Sequence, residues 1–320
     1  MNKKFFVLMC LFLLPYNALA RDVLPLDDAL RATYIACIGI DEELSDLKKM
    51  AGINTAITAV GTGLGAGAVA TGLTKAKTDE LLAQKYQEMK DLSYAAAVWV
   101  EPADPENFLQ GVKASLEDTK SADYKSFPAV SDTRQAEIDR LESKSKRLGN
   151  WRTGLLAGNT ATNIAGAIIA GTNKADKSLQ EQIDDCRSSV KSLRDSIIVA
   201  KMEGQDVAEA KQIQDACSGF DYVDISKINK RATGAMVSSS IGAGTGFAGT
   251  ITSALANSNK VRNNNTDQGQ QKEKNLNTAS NVLAVGSTAA SATATVFNAT
   301  QIKAIKDVAS VAEQCSGVLK

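Results

Sequence analysis

The sequence predicts an all-α protein: two related antiparallel helical hairpins forming an up-down four-helix bundle with Gly/Ala/Ser/Thr-rich central segments. Three observations carry this. Four stretches, residues 50–74, 153–173, 232–259 and 275–302, contain no Asp, Glu, Lys or Arg in a chain that is 22% charged. Each is about as long as one helical bilayer crossing, ~30 Å at ~1.5 Å per residue. A cysteine lies roughly fourteen residues outside each stretch, at Cys37, Cys186, Cys217 and Cys315. Finally, all five prolines fall at or before Pro128, which leaves a long remainder free of the residue that most disrupts helices.

The N-terminus comes first. Lys3 and Lys4 precede an apolar run from Phe5 to Leu14, followed by Pro15 and the small-residue site Ala18-Leu19-Ala20. This pattern predicts a secretory signal peptide over 1–20 and an exported mature chain, in the periplasm or outer envelope. Cys10 departs with the signal, so four cysteines enter an oxidising compartment and are expected to form two disulfides.

The first hairpin is expected over 21–203, with a loop or small cap over 100–133 where three prolines and mixed charge interrupt the pattern. Leu179, Ile183, Cys186, Val190, Leu193 and Ile197 alternate spacings of four and three, the seam of a coiled coil. Ile138, Leu141, Ser145, Leu148 and Trp151 carry the same rhythm into the second charge-free stretch, and Gly204 is expected to end that helix. The second hairpin is expected over 204–320, with a turn over 260–274 around the Asn/Asp/Gly-rich run 263–269.

Antiparallel pairing makes the cysteines and the charge-free stretches agree. With Cys37 opposite Cys186, Ala51 faces Thr172 and Leu73 faces Asn150, so the first two stretches coincide; with Cys217 opposite Cys315, Ala232 faces Thr300 and the last two coincide. The halves also look duplicated. Gly67–Ala76 aligns with Gly166–Ala175, and Ala36-Cys37-Ile38-Gly39-Ile40-Asp41 with Ala216-Cys217-Ser218-Gly219-Phe220-Asp221. Four cysteines allow three connectivities. The duplication favours Cys37–Cys186 with Cys217–Cys315, neighbours in a bundle also permit Cys186–Cys217 with Cys37–Cys315, and the diagonal pairing is disfavoured.

Small residues recur at every fourth position within the charge-free stretches, which marks Gly63, Gly67, Gly154, Gly158, Gly166, Gly242 and Gly246 as expected helix-packing residues. Glycine inside a helix costs ~1 kcal/mol relative to alanine, and close backbone approach along a small-residue face is the simplest compensation. In these windows the chain resembles the glycine-zipper segments of bacterial envelope proteins.

Chemistry is scarce. The chain has no histidine, which removes the commonest general base and zinc ligand, and acidic and basic residues balance at a net charge of zero. Gly244-Thr245-Gly246-Phe247-Ala248-Gly249 matches the dinucleotide fingerprint, but no strand-helix-strand pattern surrounds it, so a packing face is the better account. The sequence therefore predicts no catalytic residues, no cofactor, no metal and no enzyme activity. A structural, scaffolding or membrane-assembly role in the cell envelope is expected. Membrane lipid, and protein partners or self-association, are the expected contacts; nothing points to nucleic acid. The alternatives are a secreted membrane-inserting, pore-forming-like protein and a soluble periplasmic coiled-coil adaptor. They differ in whether the charge-free stretches lie in lipid or in water.

Overall fold

A computed structural model describes residues 23–98, 127–258, 261 and 267–319. The expected signal peptide 1–20 lies outside them, as do 100–126 of the expected cap and residues 260 and 262–266 of the expected turn. Among the described residues the chain is all-helical. In order, the helices are α1 (Leu26–Cys37), α2 (Ile40–Val98), α3 (Phe127–Thr172), α4 (Lys177–Met202), α5 (Ala208–Cys217), α6 (Ser226–Ala256) and α7 (Asp267–Leu319), with a 3₁₀ turn at Ser218–Tyr222 between α5 and α6.

Local chemistry sets several of the boundaries. Gly39, at φ +89°, makes the break between α1 and α2 in backbone space that side chains avoid. Pro128 begins no break: it lies in the first turn of α3, where its missing N–H leaves no helical bond unmade. The expected cap over 100–133 therefore ends earlier, since 127–133 are helical, and the expected turn over 260–274 is shortened because α7 begins at Asp267. One long helix was expected across 138–203, but α3 ends at Thr172 and α4 starts at Lys177. Asp176 caps the new start, its carboxylate accepting the Leu179 N–H at 2.7 Å. Gly204, at φ +78°, follows the end of α4. Asp224 plays the capping part before α6: its carboxylate accepts from the Ser226 hydroxyl and N–H, and those bonds hold its pKa below the usual carboxylate value.

The chain divides into two compact units: the first comprises Met1–Thr55, Ile168–Met236 and Val296–Lys320, the second Ala56–Ala167 and Val237–Thr295. The first unit has an apolar core. Ile40, Leu44, Leu179, Ile183, Leu193, Phe220 and Ile305 are buried in one cluster, each contributing on the order of 1.5–3 kcal/mol in transfer free energy. Cys37, Cys186, Cys217 and Cys315 all lie in this cluster, joined as Cys37–Cys186 and Cys217–Cys315. The bridges tie α1 to α4 and α5 to α7, closing separations of 149 and 98 residues. Loops of that size are worth about 4–5 kcal/mol each in the chain-entropy account. Side-chain to backbone bonds secure the connections: the Arg187 guanidinium donates to the carbonyls of Phe220 (3.0 Å) and Val223 (2.9 Å), and Ser196 donates to Leu24 O at 2.8 Å.

The second unit is built from parts of α2, α3, α6 and α7. Its contacts run in opposite directions along α2 and α3: a methyl added at Gly61 would meet Thr162, one at Gly65 would meet Asn159, and the Ser145 hydroxyl donates to Asp79 at 2.5 Å. The same sense holds for α3 and α6, where Thr153 meets Ser253 at 2.9 Å and Gly242 abuts Asn163. It holds again for α6 and α7, where Ser280 donates to Gly249 O and Ser287 to Gly242 O. The register matches the one that aligns the charge-free stretches.

Candidate functional site: a polar core under an apolar surface

Each helix of the second unit buries one stripe at alternating spacings of three and four. On α2 these are Thr58, Gly61, Gly65, Ala68, Gly72 and Lys75; on α3, Gly149, Arg152, Leu156, Asn159, Asn163 and Gly166. On α6 they are Ser239, Gly242, Gly246, Gly249, Ser253 and Ala256; on α7, Ser280, Ala284, Ser287, Ser291 and Ala294. This is heptad geometry, but the residues that fill it are small or polar. Among the described residues, the buried apolar cluster of this unit comprises Ala68, Leu156 and Ala284, with Val69 and Leu155 against it.

Hydrogen bonds replace apolar packing in this interior. Asn159 Nδ2 donates to Ser287 Oγ at 2.8 Å and Asn163 Nδ2 to Ser291 Oγ at 2.8 Å. Asn163 Nδ2 also approaches Asn159 Oδ1 at 2.9 Å, and Ser291 Oγ reaches Asn159 Oδ1 at 3.1 Å. The four side chains lock α3 to α7 through mutually satisfied donors and acceptors, which is what makes a buried polar cluster tolerable. Glycines create the room. A methyl on Gly242 would lie 2.7 Å from Asn163 Oδ1, one on Gly246 2.7 Å from Thr160 Oγ1, and one on Gly65 would run into Thr288 Oγ1.

Two buried cations lie beyond this network. Lys75 donates to Asp79 at 2.6 Å and Glu273 at 3.3 Å, a pairing that offsets part of its desolvation. Arg152 is fully buried; Nη2 reaches Asn277 O at 3.5 Å, while Nε and Nη1 have no hydrogen-bond partner among the described residues. Gly72 makes space for it, since a methyl there would fall 3.0 Å from Arg152 Nε.

The outward faces are the reverse of the core. Phe247, Val282, Ile241 and Val285 are 60%, 67%, 55% and 53% exposed, and Val60, Leu73, Ile164 and Leu255 are also large and exposed. All lie in charge-free stretches. Trp151, just before the second stretch, is likewise exposed. Two helical stretches, Leu26–Asp91 and Gln268–Leu319, contain windows long and apolar enough to cross a membrane by length and composition, with only 28% of each window buried. Length alone also fits a core helix of a soluble protein. The exposed positions of the charge-free stretches carry Ile, Val, Leu and Phe alongside Ala, Gly, Ser and Thr.

The seven glycines expected to mediate packing divide. Gly158 lies in close contact, 3.1 Å from Leu64 Cδ1 to an added methyl, and Gly242 and Gly246 are tighter still. Gly67 meets Leu155 at an ordinary 3.4 Å, and Gly166 is buried. Gly63 and Gly154 are corrections: both are exposed, with nothing near the position of an added methyl. Steps of four residues rotate about 40° each around an α-helix, so a ladder of every fourth residue leaves the face on which it starts. The close-packed Gly61, Gly65, Gly72, Gly149 and Gly249 fall instead on the alternating three-four stripe, a signal the sequence already contained. The buried Asn and Ser partners were visible only as interruptions of apolar runs. Gly246 and Gly249, of the fingerprint-like run, lie in α6 and pack against Thr160 and Leu283, with no strand before them among the described residues.

Family models, curated proteins and solved structures give no match to this chain.

Proposed function

We propose that this protein is a non-enzymatic cell-envelope scaffold whose charge-free segments are embedded in a lipid bilayer, as two antiparallel hairpins packed into an up-down four-helix bundle. One observation carries the reading. In the second unit, Asn, Ser and Thr are buried and hydrogen-bonded to one another, while Phe247, Val282, Ile241 and Val285 face outward from stretches without a single charge.

The physical logic is specific to lipid. A bundle in water gains by burying its aliphatic side chains and marks its surface with charges. A bundle in hydrocarbon has no hydrophobic drive between helices. It associates through close approach at small residues and through interhelical hydrogen bonds from Ser, Thr and Asn, and its apolar side chains meet the acyl chains. The glycine contacts at 242, 246 and 65 and the Asn159–Asn163–Ser287–Ser291 network supply both forces. Charged residues lie at the edges of the stretches, and Trp151 occupies such an edge, where aromatic rings favour the headgroup region. The sequence features at residues 3–20 support export of the chain before it reaches that membrane.

Carbonate extraction tests the reading. The full chain, expressed with its leader in a bacterial host, is expected to remain in the membrane pellet at alkaline pH and to be released by detergent. Quantitative release into the carbonate supernatant would sink the bilayer assignment and leave the soluble adaptor as the better account.

A further inference from the structure

The two disulfides of the first unit are adjacent. The Sγ atoms of Cys37, Cys186 and Cys315 all lie within 4.8 Å of one another, whereas Cys217, the partner of Cys315, stands outside that trio. Cys37 is 3% exposed and Cys186, Cys217 and Cys315 are fully buried, so a bulk reductant reaches these sulfurs only when the unit opens locally. A sulfur of one bridge is thus within a short displacement of both sulfurs of the other, in a buried cluster.

We propose that the cysteines form a single intramolecular thiol–disulfide exchange centre, in which Cys315, once its bond to Cys217 is opened, attacks the Cys37–Cys186 bridge. The step is balanced within the chain. The Cys315 thiolate forms a bond to Cys37 Sγ, the Cys37–Cys186 bond breaks, and Cys186 leaves as the thiolate; attack on Cys186 Sγ releases Cys37 instead. One disulfide and one thiolate exist before and after, so the exchange itself needs no oxidant or reductant. Opening of the first bridge requires a reductant, either a dithiol or a phosphine. Its structural consequence is definite: the tether on α1 moves from α4 to α7, or a bridge forms between α4 and α7. A chain that loses one bridge would then redistribute the other instead of holding it fixed. The inference rests on the sulfur geometry and stands or falls separately from the membrane reading.

Two single variants use the asymmetry of the cluster. Of the four bridged cysteines, Cys217→Ser leaves Cys315 as the free thiol beside the intact bridge, and Cys315→Ser leaves Cys217. Each full-length protein is brought from acid, where exchange is quenched, to about pH 8.5, near the ordinary thiol pKa. Free thiols are then trapped with N-ethylmaleimide, and the bridges are mapped by mass spectrometry of non-reduced peptides. Cys217→Ser is expected to yield Cys37–Cys315 or Cys186–Cys315 peptides, with label on the displaced cysteine, at a rate independent of protein concentration. Cys315→Ser is expected to yield at least about tenfold less exchange, because its thiol lies outside the trio. Label confined to Cys315 in the first variant, or equal exchange in both, overturns the proposal. Should either variant lose its helical circular dichroism, the same map on unmodified protein opened with less than one equivalent of a water-soluble phosphine decides: Cys315 joined to Cys37 or Cys186 supports the centre, and only the two original bridges refute it.

Discussion

At the scale of single residues, position on the stripe decides what a glycine does. Replacing Gly242 with Leu drives a side chain into Asn163 and should destabilise the fold by about 1–3 kcal/mol or more, as overpacking does. At Gly63 and Gly154 an added methyl meets nothing, so Ala there should gain up to about 1 kcal/mol through helix propensity alone, and Leu should be tolerated. Thermal unfolding of the four variants in one buffer or detergent checks the contrast; a Gly63→Leu loss equal to that of Gly242→Leu would contradict the assigned faces. The polar cluster yields a second contrast. Asn163→Ala removes the donor to Ser291 and to Asn159 Oδ1 and leaves buried groups unpaired, an expected loss of about 1–3 kcal/mol. Denaturant midpoints for Asn163→Ala, Ser291→Ala and the double variant should show coupling, the double losing less than the sum. Strict additivity would mean that the two side chains do not share a bond.

The helical elements show why some of this architecture was legible and some was not. Charge-free stretches flanked by equally spaced cysteines constrain register strongly, because one antiparallel offset must satisfy both, and contacts such as Gly61 with Thr162 and Gly249 with Leu283 follow that offset. The break between α3 and α4 was not legible in the same way. Apolar periodicity runs up to it from both sides, and its cause is one short cap: the carboxylate of Asp176 satisfies the N–H of Leu179. Asp176→Ala should therefore cost about 1 kcal/mol, within the range for lost N-caps, and speed amide exchange in the first turn of α4 while leaving α6 unchanged. Unaltered exchange at Leu179 would show that the cap does not hold the break. Polarity of the interior was hidden for a different reason. Asn159, Asn163 and Ser287 occupy heptad positions where a reader expects Leu or Ile, and only the partner helix reveals that each has a matching donor or acceptor.

On the scale of the whole molecule, the fork between lipid and water is a question about solvent, and composition alone gives an ambiguous answer. Weakly apolar stretches with Asn in them resemble neither an ordinary transmembrane helix nor an ordinary soluble one. The ambiguity narrows with Asn159 and Asn163 inside and Ile241, Phe247, Val282 and Val285 outside. A charge placed on the outer surface separates the solvents by magnitude. Phe247 and Val285 are exposed and lie near the middle of their charge-free stretches. In water, Phe247→Lys or Val285→Lys changes stability by about 0.5 kcal/mol or less, as surface substitutions usually do, and improves solubility. In a bilayer the same lysine near the midplane costs about 2.5–3.5 kcal/mol on the insertion scale, and the double substitution about twice that. The expected outcome is that the double variant, still carrying its leader, shifts from the carbonate-resistant pellet to the soluble or degraded fraction, whereas Lys90→Glu, outside the charge-free stretches, leaves the distribution unchanged. A double variant that remains folded, soluble and as heat-resistant as the parent would assign the exposed aliphatic surface to water, and with it would fall the proposal that this protein is embedded in a membrane.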